Sequence, residues 1–412
     1  MTETIFTSIL YVFLFVTLYL QVFFLITFFE ERGKLAEITK KTKLSYHPSV
    51  TIIVPCWNEE KTVAGTIMSL LNLNYPKSKL NVVVVDDGST DKTAEVVSRF
   101  TNNPQVSLIR KENGGKDTAL NAAIVDAKTE LVGCLDADSF VDKDALTEIA
   151  NAFNKDPLLM AATPMLIIHE PKTIIQKLQR TEYHLGAFLK RMLSSADGLN
   201  VTPGPFTLFR REVFEKIGLY KKAHNTEDME FALRMQSHHM RIRNIHTAHV
   251  YTYGPKTLYR LYKQRLRWSY GTMKNTLDYR FMIFRREYGI LGMITLPLSF
   301  AGVFIFLYNF GFLLFHVGHI VVDKIIQTSV VGFSLKPHLD YFFLNTTVIA
   351  LLWYIFFCIS LLFIWRGVKL AEGRFRPSMS IVYFLVLYSI IAPLWFMRAI
   401  FNLAFSRSTA WR

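Results

Sequence analysis

From Ile5 to Phe29 the chain carries no charged residue. At about 1.5 Å of rise per residue, a helix of that length exceeds a hydrocarbon core of about 30 Å, so it can span a bilayer with some tilt. Three further apolar runs, at about Ile290 to Val322, Tyr341 to Trp365 and Ile381 to Phe405, bring the expected spans to four. The first run is not expected to be a signal peptide. The residues before it are acidic rather than basic, it is too long, and no small-residue cleavage site follows it. These runs explain a composition of 51% hydrophobic and 14% aromatic residues in 412, heavy for a soluble protein.

A net charge of +14 would suit a nucleic-acid binder, but the basic residues gather beside the apolar runs and in one later segment, so no nucleic-acid partner is expected. Lys34, Lys40, Lys41 and Lys43 follow the first run; Arg366, Lys369, Arg374 and Arg376 lie between the last two. By the positive-inside rule both groups are cytoplasmic, which puts both termini outside and everything from about Arg32 to Tyr288 inside. The expected plan is a transmembrane helix over 1–31, a cytoplasmic domain over 32–255, an interfacial segment over 256–288 and about three membrane helices over 289–412. Cys56, Cys134 and Cys358 each sit in an apolar run without metal-ligand spacing, as core residues do.

Within the cytoplasmic part, VTIIVPCWNEE (50–60) reads as a strand ending in a polar turn, followed by a helical pattern through Leu71. LNVVVVDDGSTDKTAEVV (80–97) repeats the arrangement, with Ser89, Thr90 and Asp91 marking the helix start. This βαβα alternation predicts a parallel sheet with helices on its faces, an α/β fold. Neither turn carries G-x-G-x-x-G or a Walker lysine, which argues against dinucleotide or ATP binding through those motifs. Asp86 and Asp87 can accept hydrogen bonds from a base or ribose, or can simply cap a turn. In ENGGKDTALNAAI (112–124) a glycine turn and Lys116 open a helix, a plausible diphosphate cradle.

LVGCLDADS (131–139) is a short apolar run stopped by two carboxylates. Ligands of parallel sheets bind beyond the carboxyl ends of the strands, where Asp136 and Asp138 fall. In extended backbone their side chains share one face and can chelate magnesium or manganese. A second such triplet, Asp142 and Asp144, precedes a helical pattern and is read as helix capping. Near Asn58, Asp87 and Asp138, three successive strand ends thus bring polar or acidic residues to one sheet edge.

Two later segments add chemistry. Glu227 and Asp228 are adjacent carboxylates, so one of the pair is expected to have a raised pKa, while Glu230 reads as a solvated acidic helix start. In KQRLRW, Gln264, Arg267 and Trp268 stand at i, i+3 and i+4 and share a helix face, offering an amide, a guanidinium suited to phosphate and an aromatic plane for a sugar ring. An Arg-Trp pair is also common at membrane interfaces. Thr257 to Arg286 reads as an interfacial amphipathic helix, and Ile174 to Leu193 as a second. His238, His239, His246 and His249 match no zinc spacing, though one of them can still serve as a further metal ligand.

VDDGS, the GGK turn, CLDADS, NTED (225–228) and KQRLRW, in this order and with apolar spans on both sides, resemble the membrane-embedded processive glycosyltransferases of family 2. Cellulose, chitin and hyaluronan synthases share this plan. QRTEYHLGAFLKRM (179–192) and GPFTLFRR (204–211) are most like bacterial poly-β-1,6-N-acetylglucosamine synthases. The resemblance covers roughly residues 48–275 and implies a GT-A (Rossmann-like) domain, a UDP-sugar donor, inversion at the anomeric carbon and a plasma-membrane protein with its catalytic domain in the cytoplasm.

It further implies that Asn58, Glu59, Asp86 and Asp87 hold the uridine, and that Lys116, with Mg2+ or Mn2+ on Asp136 and Asp138, holds the diphosphate. Gln264 and Arg267 complete donor binding. Asp228 acts as general base beside Glu227, and Trp268 and Phe206 meet the acceptor. The partners implied are the growing polysaccharide, membrane lipids and accessory membrane or export proteins. The alternatives are a non-processive transferase using a lipid-linked acceptor, or a cellulose-like, hyaluronan-like or chitin-like synthase. A transporter or inactive scaffold would need polar residues buried in mid-span. The spans offer few, Arg398 being the clearest and near enough to an end to snorkel. Pro203-Gly204-Pro205 and the single span before the domain depart from the expected pattern.

Overall fold

Between residues 50 and 134 the apolar runs are short, rich in valine and isoleucine, and bounded by turn-forming residues, so they form strands rather than helices. In the computed structural model, which describes residues 2–38, 44, 46–331 and 347–405, α1 (Thr2–Ile38) precedes β1 (Val50–Cys56) and α2 (Val63–Leu71). Then come β2 (Leu80–Asp87), α3 (Thr93–Ser98), β3 (Val106–Lys111), α4 (Lys116–Ile124) and β4 (Leu131–Cys134). These four strands lie parallel in the order β3-β2-β1-β4. The register pairs Cys56 with Asp86 and Ile53 with Cys134, so the carboxyl ends of β1, β2 and β4 open on one edge.

Beyond β4 the sheet is mixed rather than parallel throughout. After β5 (Ser139–Val141) and α5 (Ala145–Lys155) come β6 (Leu159–Ile168), α6 (Ile174–Ser195), β7 (Thr207–Arg210), α7 (Arg211–Ile217), α8 (Glu227–Ser237) and β8 (Arg241–Thr252). β7 runs antiparallel to both β4 and β6, and β8 runs parallel to β6 and antiparallel to β5. The full order is β3-β2-β1-β4-β7-β6-β8-β5. Gly133 permits the β4–β7 approach, since a Cβ there would stand 2.9 Å from both the Leu208 side chain and the Thr207 carbonyl oxygen.

Two apolar layers cover the sheet. Ile52, Val54, Val82 and Val84 meet Val63, Ile67, Leu146 and Ile149 on one face. Ile53, Val85 and Val132 meet Leu120, Phe231 and Met235 on the other. The alternation along β1 and β2 is the period of a strand buried on both sides.

α6 begins at a capping box in which Thr173 accepts from the Gln176 amide, and it lies between the sheet and the apolar helices. α9 (Leu258–Asp278) ends earlier than the Arg286 expected from the sequence, giving way to short turns at Arg280–Met282 and Arg286–Tyr288. Then follow α10 (Leu296–Val331), α11 (Val348–Glu372), α12 (Met379–Tyr383) and α13 (Ser389–Ala404). Among the described residues four helical stretches are long and apolar enough to cross a bilayer: Phe6–Glu30, Leu291–Val330, Val348–Glu372 and Met379–Ala404. Large apolar side chains such as Phe15, Phe315 and Ile390 are exposed on them, as lipid-facing side chains are. Arg398 is exposed near the end of the last stretch, over the Phe401 ring. Lys40, Lys41, Lys43 and the expected start of the third span at Tyr341 lie outside the described residues.

Candidate active site

At the carboxyl edge of β2 the two aspartates are buried and differently employed. Asp86 accepts the Ser89 amide at 3.0 Å and lies 3.6 Å from Arg110 Nε. Asp87 accepts the amides of Gly114 (3.1 Å) and Gly115 (2.8 Å) and pairs with Lys111 at 2.6 Å. Asp87 therefore fixes the glycine turn that presents Lys116. Gly88 has φ 72° and its Cβ would stand 2.7 Å from the Asn113 amide nitrogen, so only glycine fits. Asn58, itself at φ 56°, accepts the Thr90 amide at 2.8 Å and donates its own amide to Ser89 Oγ at 2.9 Å, tying the first two strand ends together. The Glu59 carboxylate accepts the Thr62 hydroxyl at 2.8 Å.

Asp136 and Asp138 do not project from extended backbone as the sequence suggests. β4 ends at Cys134 and the chain turns at 137–138, closed by the Ser139 amide donating to the Asp136 carbonyl at 3.0 Å. That turn, not strand alternation, sets the two carboxylates near each other. Burial, with repulsion from Asp136 and Glu59, raises the Asp138 carboxyl to about 6. Lys116 Nζ lies 2.6 Å from Asp136 and 3.4 Å from Glu227. Burial alone would lower its pKa, but the two carboxylates hold it raised, so it is an ammonium. Gly204 borders this group, since a Cβ there would stand 2.5 Å from Lys116 Nζ and 3.0 Å from Asp136 Oδ1. The Pro-Gly-Pro departure thus places a glycine where a side chain would meet the ion pair.

The residues present fit a hard divalent cation. Two carboxylates supply hard oxygens, and their mutual repulsion is what such a cation relieves. Among the described residues no group of three or more His, Cys, Asp or Glu is placed to hold a metal. The other ligands would then come from diphosphate oxygens and water, the usual manner of magnesium. The histidines are employed elsewhere: His238 contacts the Arg234 carbonyl at 2.9 Å, and His239 stacks on Tyr288. Burial lowers His249, and lowers His246 to about 4.

α8 begins at Glu227 and delivers the adjacent pair. Asp228 is half-buried and accepts the Met229 amide at 2.9 Å. Burial and then Glu227 raise it to about 6, against the opposing pull of Lys116 and Arg267. Lys190 on α6 stands near enough for Asp228 to oppose the lowering of its pKa by burial. Glu230 is buried rather than solvated: it pairs with Arg234 at 2.9 Å and accepts the Tyr279 hydroxyl at 2.8 Å, a structural role.

On α9, Gln264 accepts from Gln179 at 2.9 Å, and Arg267 donates to the Asn225 carbonyl at 2.8 Å, beside the α8 start. Trp268 is half-buried, with the Arg265 guanidinium 4.3 Å from its ring centroid. Arg265 is buried against Glu182 of α6, which also accepts the Tyr388 hydroxyl at 3.1 Å. Sequence reasoning assigns no role to Glu182, Arg265 or Tyr388, and marks Gly204 only as part of the Pro-Gly-Pro departure. Phe206 is a correction. It is fully buried in the sheet core, donating its amide to the Cys134 carbonyl at 2.6 Å, and has no face to offer an acceptor. Of the second acidic triplet, Asp142 accepts the Asp144 amide at 3.0 Å, while Asp144 binds the Asn74 side chain and does not cap α5 as expected.

Three comparisons bear on this arrangement. The family described as Glycosyl transferase family 2 matches residues 51–218. The chain is 34% identical over 224 residues to a poly-beta-1,6-N-acetyl-D-glucosamine synthase of Staphylococcus epidermidis, 54% of each chain. It is likewise 34% identical over 224 residues to the synthase of that name from Staphylococcus aureus strain COL. It thus spans about half the length of the curated relatives it matches. Its fold is similar to that of the mannosyltransferase PcManGT from Pyrobaculum calidifontis, solved with GDP-Man and Mn2+, with TM-score 0.60, 18% identity and coverage of 95% of this chain and 98% of that one. The likeness identifies the fold as GT-A.

Proposed function

We propose, from the match of residues 51–218 to Glycosyl transferase family 2, that the chain is a membrane-embedded inverting β-glycosyltransferase that polymerises N-acetylglucosamine from a UDP-sugar into an exported polysaccharide. The observation that carries this reading is a convergence at one sheet edge. The Lys116–Asp136 pair, suited to a diphosphate, touches Glu227, and the next residue, Asp228, has a carboxyl raised to about 6. The names of the Staphylococcus relatives favour N-acetylglucosamine as the sugar.

In the reaction, an acceptor hydroxyl oxygen forms a bond to the anomeric carbon as the bond from that carbon to the diphosphate breaks, and UDP leaves with the electron pair. Asp228 takes the hydroxyl proton, a task suited to a carboxylate whose pKa lies near working pH. Lys116 and Arg267 meet the negative charge that grows on the diphosphate. Held by Asp136 and Asp138, magnesium or manganese would neutralise further charge on that leaving group. Asn58 and Asp86 line the edge where the nucleoside lies, and Trp268 offers the ring on which an acceptor sugar stacks.

The four long apolar helices support a membrane protein; the proposal puts it in the plasma membrane, several spans crossing it and the catalytic domain in the cytoplasm. The competing reading is single transfer to a lipid-linked acceptor. Purified protein given radiolabelled UDP-N-acetylglucosamine or UDP-glucose separately distinguishes the two. A long product from the first donor only, digestible as a β-linked glucosamine polymer, is expected. A single-sugar lipid product would replace the proposal with its competitor, and absence of transfer from either donor would remove both.

A further inference from the structure

Where α11 and α12 meet α6, two cavities adjoin. One, of about 410 Å3, is apolar and lined by Cys358, Leu361, Leu362, Trp365, Phe375 and Ile381. The other, of about 210 Å3, shares Ile381 and is polar, with Arg180, His184, Glu372, Arg376 and Ser378 among its walls. Two guanidiniums face one carboxylate, and that carboxylate is engaged by Arg180. Arg376 is exposed and has no carboxylate partner among the described residues. His184 is 3% exposed, and its Nε2 lies 3.3 Å from Glu372 Oε1 without a hydrogen bond, a buried polar atom left unsatisfied at the cavity wall.

We infer that the joined cavities bind one anionic phospholipid, its phosphate between Arg180, His184 and Arg376 and one acyl chain along Leu361, Leu362 and Trp365. The inference rests on the membrane placement proposed above. Charge complementarity selects the headgroup: two arginines against one glutamate leave an excess positive charge that a zwitterionic lipid does not match and a phosphodiester with no other charge does. The larger, apolar compartment selects a lipid over a free anion, because a free phosphate would leave it unfilled. The position suits both, since the basic end of α11 lies at headgroup level while its apolar length faces the acyl region.

The site also has a route to the candidate active site. Arg180 and His184 flank Glu182 on α6, and Glu182 holds Arg265, on which Trp268 rests. Close packing secures the seam, as a Cβ at Gly367 would stand 2.1 Å from the His184 carbonyl oxygen. A lipid bridging α6 to the 376–378 loop therefore steadies the helix that positions α9.

The full chain, purified in detergent and incubated with equal amounts of phosphatidylglycerol and phosphatidylcholine, is examined by native mass spectrometry. Retention of one phosphatidylglycerol is expected, with Arg376→Gln losing about tenfold in retention through one charged phosphate contact. Arg374→Gln, outside the cavity, should retain the lipid as the parent does. Leu361→Trp, which fills the apolar cavity, should also lose it. Undiminished retention by Arg376→Gln, or equal loss from Arg374→Gln, overturns the site. Displacement of the lipid by millimolar inorganic phosphate alone would mean a soluble-anion site and sink the lipid assignment. Carbonate extraction of membranes tests the underlying placement separately: a chain that stays embedded but retains no lipid removes only this inference.

Discussion

Lys116 Nζ lies 2.6 Å from the Asp136 carboxylate, and the backbone at Gly204 comes so close that a methyl group there would meet both. The clash falls on the end of a flexible side chain at Lys116, so Gly204→Ala is expected to push the ammonium aside rather than distort the sheet. UDP affinity should fall about tenfold with melting temperature nearly unchanged, read by calorimetric titration and a thermal melt. Lys116→Met should lose both, because Asp136 and the buried Glu227 would remain without their cation, at a cost of about 3 kcal/mol. Full UDP affinity in Gly204→Ala would show that the ammonium does not serve the nucleotide.

The cation assignment predicts a contrast between two neighbouring triplets. Asp138→Asn should abolish turnover and weaken UDP binding only when magnesium or manganese is present, since it removes a chelating oxygen anion. Asp144→Asn should leave turnover intact, because among the described residues that carboxylate meets only the Asn74 side chain. Equal losses from both would point to folding rather than to the cation.

Asp228 links activity to stability. Burial and Glu227 raise its carboxyl from an ordinary 3.8 to about 6. Folding therefore favours the protonated form, and this contribution is full below the unfolded pKa and is lost as pH rises through the folded value. Between about pH 4 and 6 the melting temperature of the parent should fall relative to that of Asp228→Asn, with the gap constant above. At neutral pH the variant should be more stable and nearly inactive. An unchanged gap across that window would place the carboxyl at its ordinary pKa.

The parts of the site that the sequence made legible are those set by neighbouring residues. Strand, polar turn and helix follow one another within 50–71 and 80–98, so Asn58 and Asp86 reach one edge by local rules, and the glycine turn at 114–115 opens the next helix at Lys116. The antiparallel half was not legible, because β7 joins β4 only after α6 has intervened, and nothing local fixes that partner. For Asp136 and Asp138 strand alternation is the wrong geometry, since the turn at 137–138 replaces it. Phe206 lies inside GPFTLFRR, the stretch whose resemblance implies an acceptor residue, whereas its backbone amide pairs with the Cys134 carbonyl and its ring fills the core. Glu182, Arg265 and Tyr388 are joined across 206 residues from first to last, and only tertiary packing brings such a trio together.

Trp268 separates polymer growth from donor chemistry. Its ring rests on Arg265, which Glu182 holds from α6, so the indole is fixed before any sugar arrives. Under the proposed function, Trp268→Ala removes the surface on which the acceptor sugar stacks and leaves Lys116, Asp136 and Asp228 in place. Water can still accept the donor sugar, so hydrolysis should persist while polymerisation falls by roughly tenfold or more. Asp228→Asn should instead cut transfer to sugar by roughly 100-fold, with UDP affinity nearly unchanged, because the base faces the acceptor and not the nucleotide. The measurement is the ratio of polymerised sugar to free sugar released, taken for both variants beside the parent. A general folding defect would lower both products together and leave the ratio unmoved. If Trp268→Ala loses them in equal proportion, the indole supports the helix and not the acceptor. If Asp228→Asn polymerises at the parent rate, the proton leaves by another group.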